Sequence, residues 1–453
     1  MAMELSPSLA DNRDMTDSPL LVFDDGAGSF GPLTDLRPVF EIRTAALTNR
    51  QRIEIHLSKP TSALFVSPAL VELTACENPA LLVNPTAAAL TTHHGGLWLV
   101  VNGRLIGQQT QAILTKHVRS NGPWAVIDEN GQWLAGVLSP AGIEQLQVNR
   151  WQNISNIKEL ASPVPPPLSN PPSLQAVVEP TSSPVRLSGN HLYSRPWDIL
   201  DHLEPSLLDD LAHLSCDPIL DCAFPSYVHV IPGHRVVVQN ARLQPGVVLN
   251  AEAGPIYLSP DAVIGANTVI EGPCFVGEHV QVAARSYLRS QTVIGPYCKV
   301  AGEIACSIFQ SHSNKAHDGY VGHSLVGKWV NLGAGTTVSN LKNTYGSVRV
   351  QLDPALPAEN SGRTFQGPVI GDFVRTAIGS RLMTGSCLNT GSMIALSSFA
   401  PKSTQRMGFY TDAQPKSVPT DMEKFLVTAK AMMSRRHVTM SPAMESRLRA
   451  LHG

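Results

Sequence analysis

The densest run of chemically capable side chains is SNKAHDGYVG at residues 313–322, followed by SNLKN at residues 339–343, with Asn331 between them in VNLGAGT. A histidine can take the proton of an attacking amine, tyrosine and asparagine can orient hydroxyls and a carbonyl, and the amides of a Gly-rich turn can hold an oxyanion. That set suits acyl transfer from a thioester to a sugar amine, with His317 as base and neither a metal nor a covalent enzyme intermediate. Read by its type alone, His317 is equally a solvated loop histidine, and Asn340 a turn residue that tolerates the left-handed conformation. The remaining histidines, including the pair His93-His94, have no partner at a recognisable spacing. A second candidate is FDDGAGSFG near the amino terminus. There Gly26, Gly28 and Gly31 could bring backbone amides to a phosphate, with Arg37 or Arg43 as the cation. Asp24 and Asp25 either hold Mg²⁺ or end a strand, and Asn102-Gly103-Arg104 reads as a turn.

The elements that must position these groups announce themselves by period. From Ile264 every sixth residue is aliphatic, through Ile270, Val276, Val282, Leu288, Ile294 and Val300. Six fits neither the 3.6 of an α-helix nor simple strand alternation. It is the hexapeptide signature of a parallel β-helix, a three-sided prism with the sixth residues stacked inside. The phase then slips by two residues. Val326, Leu332 and Val338 form a second register, and Ile370, Thr376, Leu382, Leu388 and Ile394 a third, with Thr376 as the exception. Each slip predicts an inserted loop bulging from the prism, near 301–322 and 339–366. Six or seven coils are expected, and the flat outer faces predict a homotrimer. After the prism, Met422, Phe425, Leu426, Ala429, Met432 and Met433 share one helical face, which predicts a helix packing over the prism's open end or on a neighbouring subunit rather than a methionine-rich ligand site.

Upstream, short apolar runs alternate with a helical pattern, so residues 18–160 read as an α/β domain behind a loose leader at 1–17. Prolines in 161–190 forbid helix and central strand and make this stretch a linker. Helical spacing of Ile199, Leu200, Leu203, Leu207, Leu208 and Leu211 places a linker helix within 191–222. The β-helix occupies 223–400 and a helical extension 401–453. Lys+Arg 34 against Asp+Glu 36 gives a net charge of −2, which argues against nucleic-acid and membrane-surface partners. The seven cysteines form no C-x-x-C pair and no zinc-spaced cluster, so a reducing, cytoplasmic compartment and no structural metal are expected. Neither a signal peptide nor an apolar run long enough to span a bilayer is visible.

The run NKAHDGYVG followed by WVNLGAGTTVSNLKN resembles the acetyltransferase half of the bifunctional N-acetylglucosamine-1-phosphate uridyltransferase/glucosamine-1-phosphate acetyltransferase family, where K-A-x-H-x-x-Y-x-G precedes N-I-G-A-G-T. Over LLVFDDG, LTDLRPVFEIRTAALTNRQR, RPWDIL and AMMSRRHVTMSP the chain looks like a divergent bacterial branch described as sugar nucleotidyltransferases with a left-handed β-helix. The resemblance implies an α/β nucleotidyltransferase-like domain, a left-handed parallel β-helix with hexapeptide repeats, and a C-terminal helix. It implies His317 as general base; Tyr320, Asn331, Lys315 and Lys342 against the sugar; Ala334, Asn340, Leu341 and Ser380 along an acetyl-CoA groove; and Gly26, Gly28, Arg37 and Arg43 at a nucleotide taken with Mg²⁺. Departures bear on the substrate. GPYCKVAGEIACS lacks the lysine and arginine that hold the sugar phosphate in that family, leaving Lys299, Lys315, Arg285 or Arg289 to compensate, and FDDGAGSFG replaces L-x-x-G-x-G-T-R-M. Three functions stay open. One is acetyl transfer to an amino sugar or its phosphate, another is nucleotidyl transfer with the prism as a trimer scaffold, and the third is non-catalytic binding of a nucleotide sugar.

Overall fold

The computed structural model describes residues 18–117, 124–144, 184–214, 224–413 and 417–452. The leader at 1–17 and nearly all of the proline-rich linker lie outside them. The chain forms two compact units. The first comprises residues up to Ala27 and Asn49–Leu192, the second Gly28–Thr48 and Tyr193 onward.

The first unit is an α/β layer. Strands β1 (Leu20–Phe23), β2 (Thr61–Phe65), β3 (Leu82–Val83), β4 (Trp98–Asn102), β5 (Trp124–Asp128), β6 (Trp133–Leu138) and β7 (Val185–Leu187) order as β3-β2-β1-β4-β6-β5-β7. The β3-β2-β1-β4 half is parallel and β6 runs against β4 and β5. Every residue of β1 and β4 is buried, which is why LLVF and WLVV are unbroken apolar runs rather than alternating ones. Helices α1 (Asn49–Leu57), α2 (Val71–Glu77), α3 (Ala87–His93) and α4 (Gly107–His117) belong to the same unit.

The second unit is the left-handed β-helix. Its parallel faces are built of two- to four-residue strands stacked coil on coil. Face 1 includes Val263–Ile264, Gln281–Val282, Lys299–Val300 and Asn331–Leu332; face 2 includes Val269–Glu271, Tyr287–Leu288 and Tyr320–Gly322; face 3 includes Cys274–Val276, Thr292–Ile294 and Leu325–Lys328. Inside, the expected sixth residues from Ile264 to Ile394 make one continuous core. Thr376 is the polar member, and its hydroxyl lies 2.8 Å from that of Thr336 and accepts the Gly333 amide, so no donor is orphaned. Face 3 has eight strands, more than the six or seven coils expected, because the stack already begins at Val236–Val238. There the step from Leu249 to Leu258 is nine residues and breaks the period.

The first phase slip is not a bulge. Val300 pairs with Lys315, fifteen residues on rather than eighteen, and Ile304, Phe309, Lys315, Val321 and Val326 fill successive inward positions. The turns here are shortened, and losing four residues shifts the register as gaining two would. The second slip is an insertion. After Val338 the chain leaves the prism, forms an antiparallel pair between Arg349–Val350 and Glu359–Asn360, and returns at Val369–Ile370.

Helices α5 (Pro196–Asp201) and α6 (Leu203–Leu214) precede the prism; α7 (Met422–Ser434) and α8 (Pro442–His452) follow it. Phe425, Leu426, Ala429 and Met433 of α7 are buried. Phe425 meets Phe373 of the prism edge-on at 6.0 Å.

Candidate functional site

His317 stands exposed on the turn that joins face 1 to face 2. The turn is held from within. Lys315 occupies an inward stacking position, fully buried, and its ammonium donates to the carbonyls of His317 and, at 2.7 Å, of Asp318. Burial lowers its pKa to about 8, with Asp318 opposing. Gly319 closes the turn at φ +130°, where a Cβ would strike the Thr336 carbonyl and crowd the Lys315 ammonium. Lys315, expected at the substrate, is instead a strut inside the prism, because the shortened coil puts it in the stack. The inward position carries a cation only because two turn carbonyls receive it.

At the other end of the short strand Tyr320–Gly322 lies a hydrogen-bonded group. The Asn340 amide donates 2.9 Å to the Tyr320 hydroxyl and stands 2.7 Å from His323 Nδ1. Gly322 allows this, since any side chain there would collide with the Tyr320 hydroxyl. Burial, with Arg363 and Arg289 adding to it, lowers the His323 pKa to about 4. The ring is therefore neutral near pH 7. If Nδ1 accepts from Asn340, Nε2 carries the proton. The Tyr320 hydroxyl likewise accepts from Asn340, so its own proton is available to a ligand. Burial raises the pKa of Tyr320 and keeps it protonated. Phe365, exposed, stacks on His323 at 5.2 Å. Nothing in the sequence marks His323 except its position directly after the 313–322 run, in YVGH.

Other expected residues fall as follows. Asn331 is half-buried on the outer side of face 1, in register with Asn314 and Arg375. Lys342 donates to the Ser347 carbonyl within the inserted loop, and Leu341 bridges Phe365. Ala334 lies in the turn one coil beyond His317, its carbonyl accepting from Gly379, while the neighbouring Gly335 amide donates to Asp318. Ser380 is buried, its hydroxyl donating 2.8 Å to Ala377. The amides of Gly333, Gly335 and Thr336 all donate within the prism, so the GAGT turn has little left for an oxyanion. Tyr320 and His323 are the donors this side of the prism offers instead.

The proposed nucleotide residues divide between the units. Gly28, Arg37 and Arg43 belong to the β-helix unit. Arg37 is buried in an ion pair with Asp372, and the Arg43 backbone exchanges hydrogen bonds of 2.7 and 2.9 Å with Gln310 while its guanidinium reaches the Ala46 carbonyl and lies over Phe275. Neither arginine is exposed to a phosphate; both fasten residues 28–48 to the prism. Within the first unit, Gly26 adopts φ +62° and donates to Asp24. Asp25 is buried against Arg104, with Asn102 at 2.9 Å. These groups gather at the carboxyl ends of β1 and β4, where the strand order reverses and open α/β sheets bind ligands. A carboxylate engaged on both oxygens by Arg104 and Asn102 is a poor ligand for Mg²⁺.

This architecture joins an α/β unit to a hexapeptide β-helix, and residues 20–217 match the family described as sugar nucleotidyl transferase. The chain is similar in sequence to bifunctional sugar-1-phosphate nucleotidyltransferase/acetyltransferases over about a third of its length. It is 32% identical over 136 residues to the bifunctional protein GlmU of Picosynechococcus sp., covering 28% of this chain and 30% of that protein. It is 34% identical over 134 residues to the bifunctional sugar-1-phosphate nucleotidylyltransferase/acetyltransferase of Sulfurisphaera tokodaii, covering 29% and 33%. The chain thus spans about a third of the length of these relatives. Among solved structures it is similar to the UDP-N-acetylglucosamine acyltransferase of Campylobacter jejuni, at 10% identity and a TM-score of 0.23 over 49% of this chain and 81% of that one. No helix among the described residues is long and apolar enough to cross a membrane.

Proposed function

We infer that this chain is a transferase of sugar-nucleotide metabolism whose β-helix moves an acetyl group from acetyl-CoA to the amine of an amino sugar or its phosphate. The observation that carries the reading is the exposed His317 turn, pinned from inside by Lys315 and flanked by the Tyr320–Asn340–His323 donors. The amine nitrogen attacks the thioester carbonyl, the C–N bond forms and the C–S bond breaks. His317 takes the amine proton and returns it to the leaving sulfur. Tyr320 and His323 donate to carbonyls of the acyl donor lying across face 2, and Asn331, on the outer side of face 1, is available to the sugar. A homotrimer, completing the site with a neighbouring copy, fits the flat faces.

The test is thiol release from acetyl-CoA with a panel of amino-sugar phosphates. His317→Ala should lower the rate at least about a hundredfold, as loss of a general base does, while assembly size and thermal midpoint stay near wild type. Undiminished turnover in that variant would overturn the assignment. A second reading, favoured by the family match over residues 20–217, gives the first unit nucleotidyl transfer. Pyrophosphate release from UTP or dTTP with a sugar 1-phosphate checks it.

A further inference from the structure

A groove of about 430 Å³ runs along the corner between faces 1 and 2 and ends at Ala316, the residue before His317. Its volume lies in the range of roughly 300–1,000 Å³ typical of small-molecule sites. Small residues, Gly265, Ala283 and Ala284, leave its floor open, and Arg242, Gln281 and Lys299 stand along its rim. The rim residues are successive rungs: Arg242 pairs with Val263, Val263 with Gln281, Gln281 with Lys299, and Lys299 with Asn314. Five rungs separated by four strand spacings make the groove roughly 19 Å long. A sugar ring bearing one phosphate fills less than half of that.

Charge varies along the groove. Near the His317 end, Lys299 is crowded by other cations. Burial lowers its pKa, and Arg436 and Arg435 lower it further. Arg436 itself is anchored to the Tyr297 carbonyl and, at 2.6 Å, to Asn314 on the adjoining rung. A doubly charged anion at this rung would relieve Lys299 and the neighbouring Arg436. Farther along, Gln281 and Gln244 bring amides that can meet a ribose or a base. Gln244 already accepts from Ala266 at 3.0 Å, which turns its NH₂ group toward donation elsewhere. Arg242, exposed, closes the far end.

We propose that this groove is the acceptor site and that the acceptor is a nucleoside-diphosphate-linked amino sugar, its amine at the His317 turn, its pyrophosphate at Lys299 and its nucleoside along Gln281 to Arg242. The assignment rests on acyl transfer at His317, and it places the acylation after nucleotidyl transfer: a reaction joining a nucleotide to the amino sugar must supply this substrate. The acyl donor then lies across face 2 on the other side of the same turn.

Two measurements on the full chain separate this proposal from the reading beneath it. The first is thiol release with a UDP-linked amino sugar against the same amino sugar 1-phosphate. The UDP-linked acceptor should have a kcat/KM at least tenfold higher, and Arg242→Ala should cut that preference at least tenfold. A preference for the 1-phosphate, or one that Arg242→Ala leaves intact, overturns the groove assignment while acyl transfer stands. The second is calorimetric binding of the UDP-linked amino sugar without acetyl-CoA. Binding weakened at least fivefold in both Arg242→Ala and Lys299→Ala supports the groove even if no thiol is released, in which case acyl transfer alone fails. Binding indifferent to both substitutions places the nucleotide sugar elsewhere and ends the proposal.

Discussion

A histidine two turns from an exposed loop is an ordinary sight, and what separates His323 from His317 is its surroundings. His317 is exposed on a turn, whereas His323 is stacked under Phe365, hydrogen-bonded at Nδ1 to Asn340 and held neutral by burial. Its folded pKa of about 4 lies below the ordinary 6.5, so the unfolded chain binds a proton that the folded one refuses. Stability from this site is therefore fully present above about pH 6.5 and drains away as pH falls toward 4. His323→Gln keeps an oxygen for the Asn340 amide and an NH₂ to donate, yet cannot titrate. Its thermal midpoint should match wild type within a few degrees at pH 7.5 and fall less steeply between pH 6.5 and 4; equal slopes would show that His323 is not the titrating group. Residue types alone singled out His317, Tyr320 and Asn340, and of these the structure joins Asn340 to Tyr320. They could not reveal that Lys315 points inward, because a lysine interrupts the aliphatic period that would have disclosed its position.

At the scale of elements, the hexapeptide pattern was legible because every sixth aliphatic from Ile264 to Val300 faces one interior. What periodicity could not resolve was sign, since a register shift of two is indistinguishable from a loss of four. Two slips that look alike thus became a tightened stretch around 301–322 and a loop excursion at 339–366. The role of segment 28–48 is hidden for a different reason. Glycines and arginines after a buried strand look like a phosphate loop, but here Asp35 is tied to Arg406 and Thr390, and Arg37 to Asp372, all against the prism. Removing one member of a buried ion pair leaves the other uncompensated, at a cost of about 3–5 kcal/mol. Asp372→Asn and Arg37→Ala should each destabilise the chain by about that amount in denaturant unfolding, and the double substitution Arg37→Met with Asp372→Leu should recover most of it. Because the arginine is structural, nucleotide affinity in whatever fraction stays folded should not change. A selective loss of nucleotide binding with undiminished stability would restore Arg37 to a ligand role.

The whole molecule is threaded in a way that sequence order disguises. The chain begins in the α/β unit, gives residues 28–48 to the β-helix unit, returns at Asn49, and enters the β-helix unit again at Tyr193. A boundary in the proline-rich linker is therefore natural by composition but does not separate the units. Cutting there and keeping only the carboxyl part removes Asp35 from Arg406 and Thr390, Arg37 from Asp372, the Arg43 backbone from Gln310, and the Leu47 amide from Asp210. It also exposes the surfaces under Phe30, Leu33, Val39 and Phe40, all of them buried. Each orphaned buried polar group costs about 1–3 kcal/mol and the charged ones more, a total comparable with the roughly 5–15 kcal/mol that stabilises a whole domain. A fragment starting at Tyr193 should accordingly be aggregation-prone or show a thermal midpoint lowered by at least about 10 °C, since 1 kcal/mol moves the midpoint of a chain this size by about 2–4 °C. Supplying residues 28–48 as a peptide in trans, or fused ahead of Tyr193 through a flexible linker, should restore much of the loss. A fragment from Tyr193 onward that melts like the intact β-helix, with no response to the peptide, would mean that the segment merely rests on the prism, and that the buried pairs at Asp35 and Arg37 contribute nothing net to its stability.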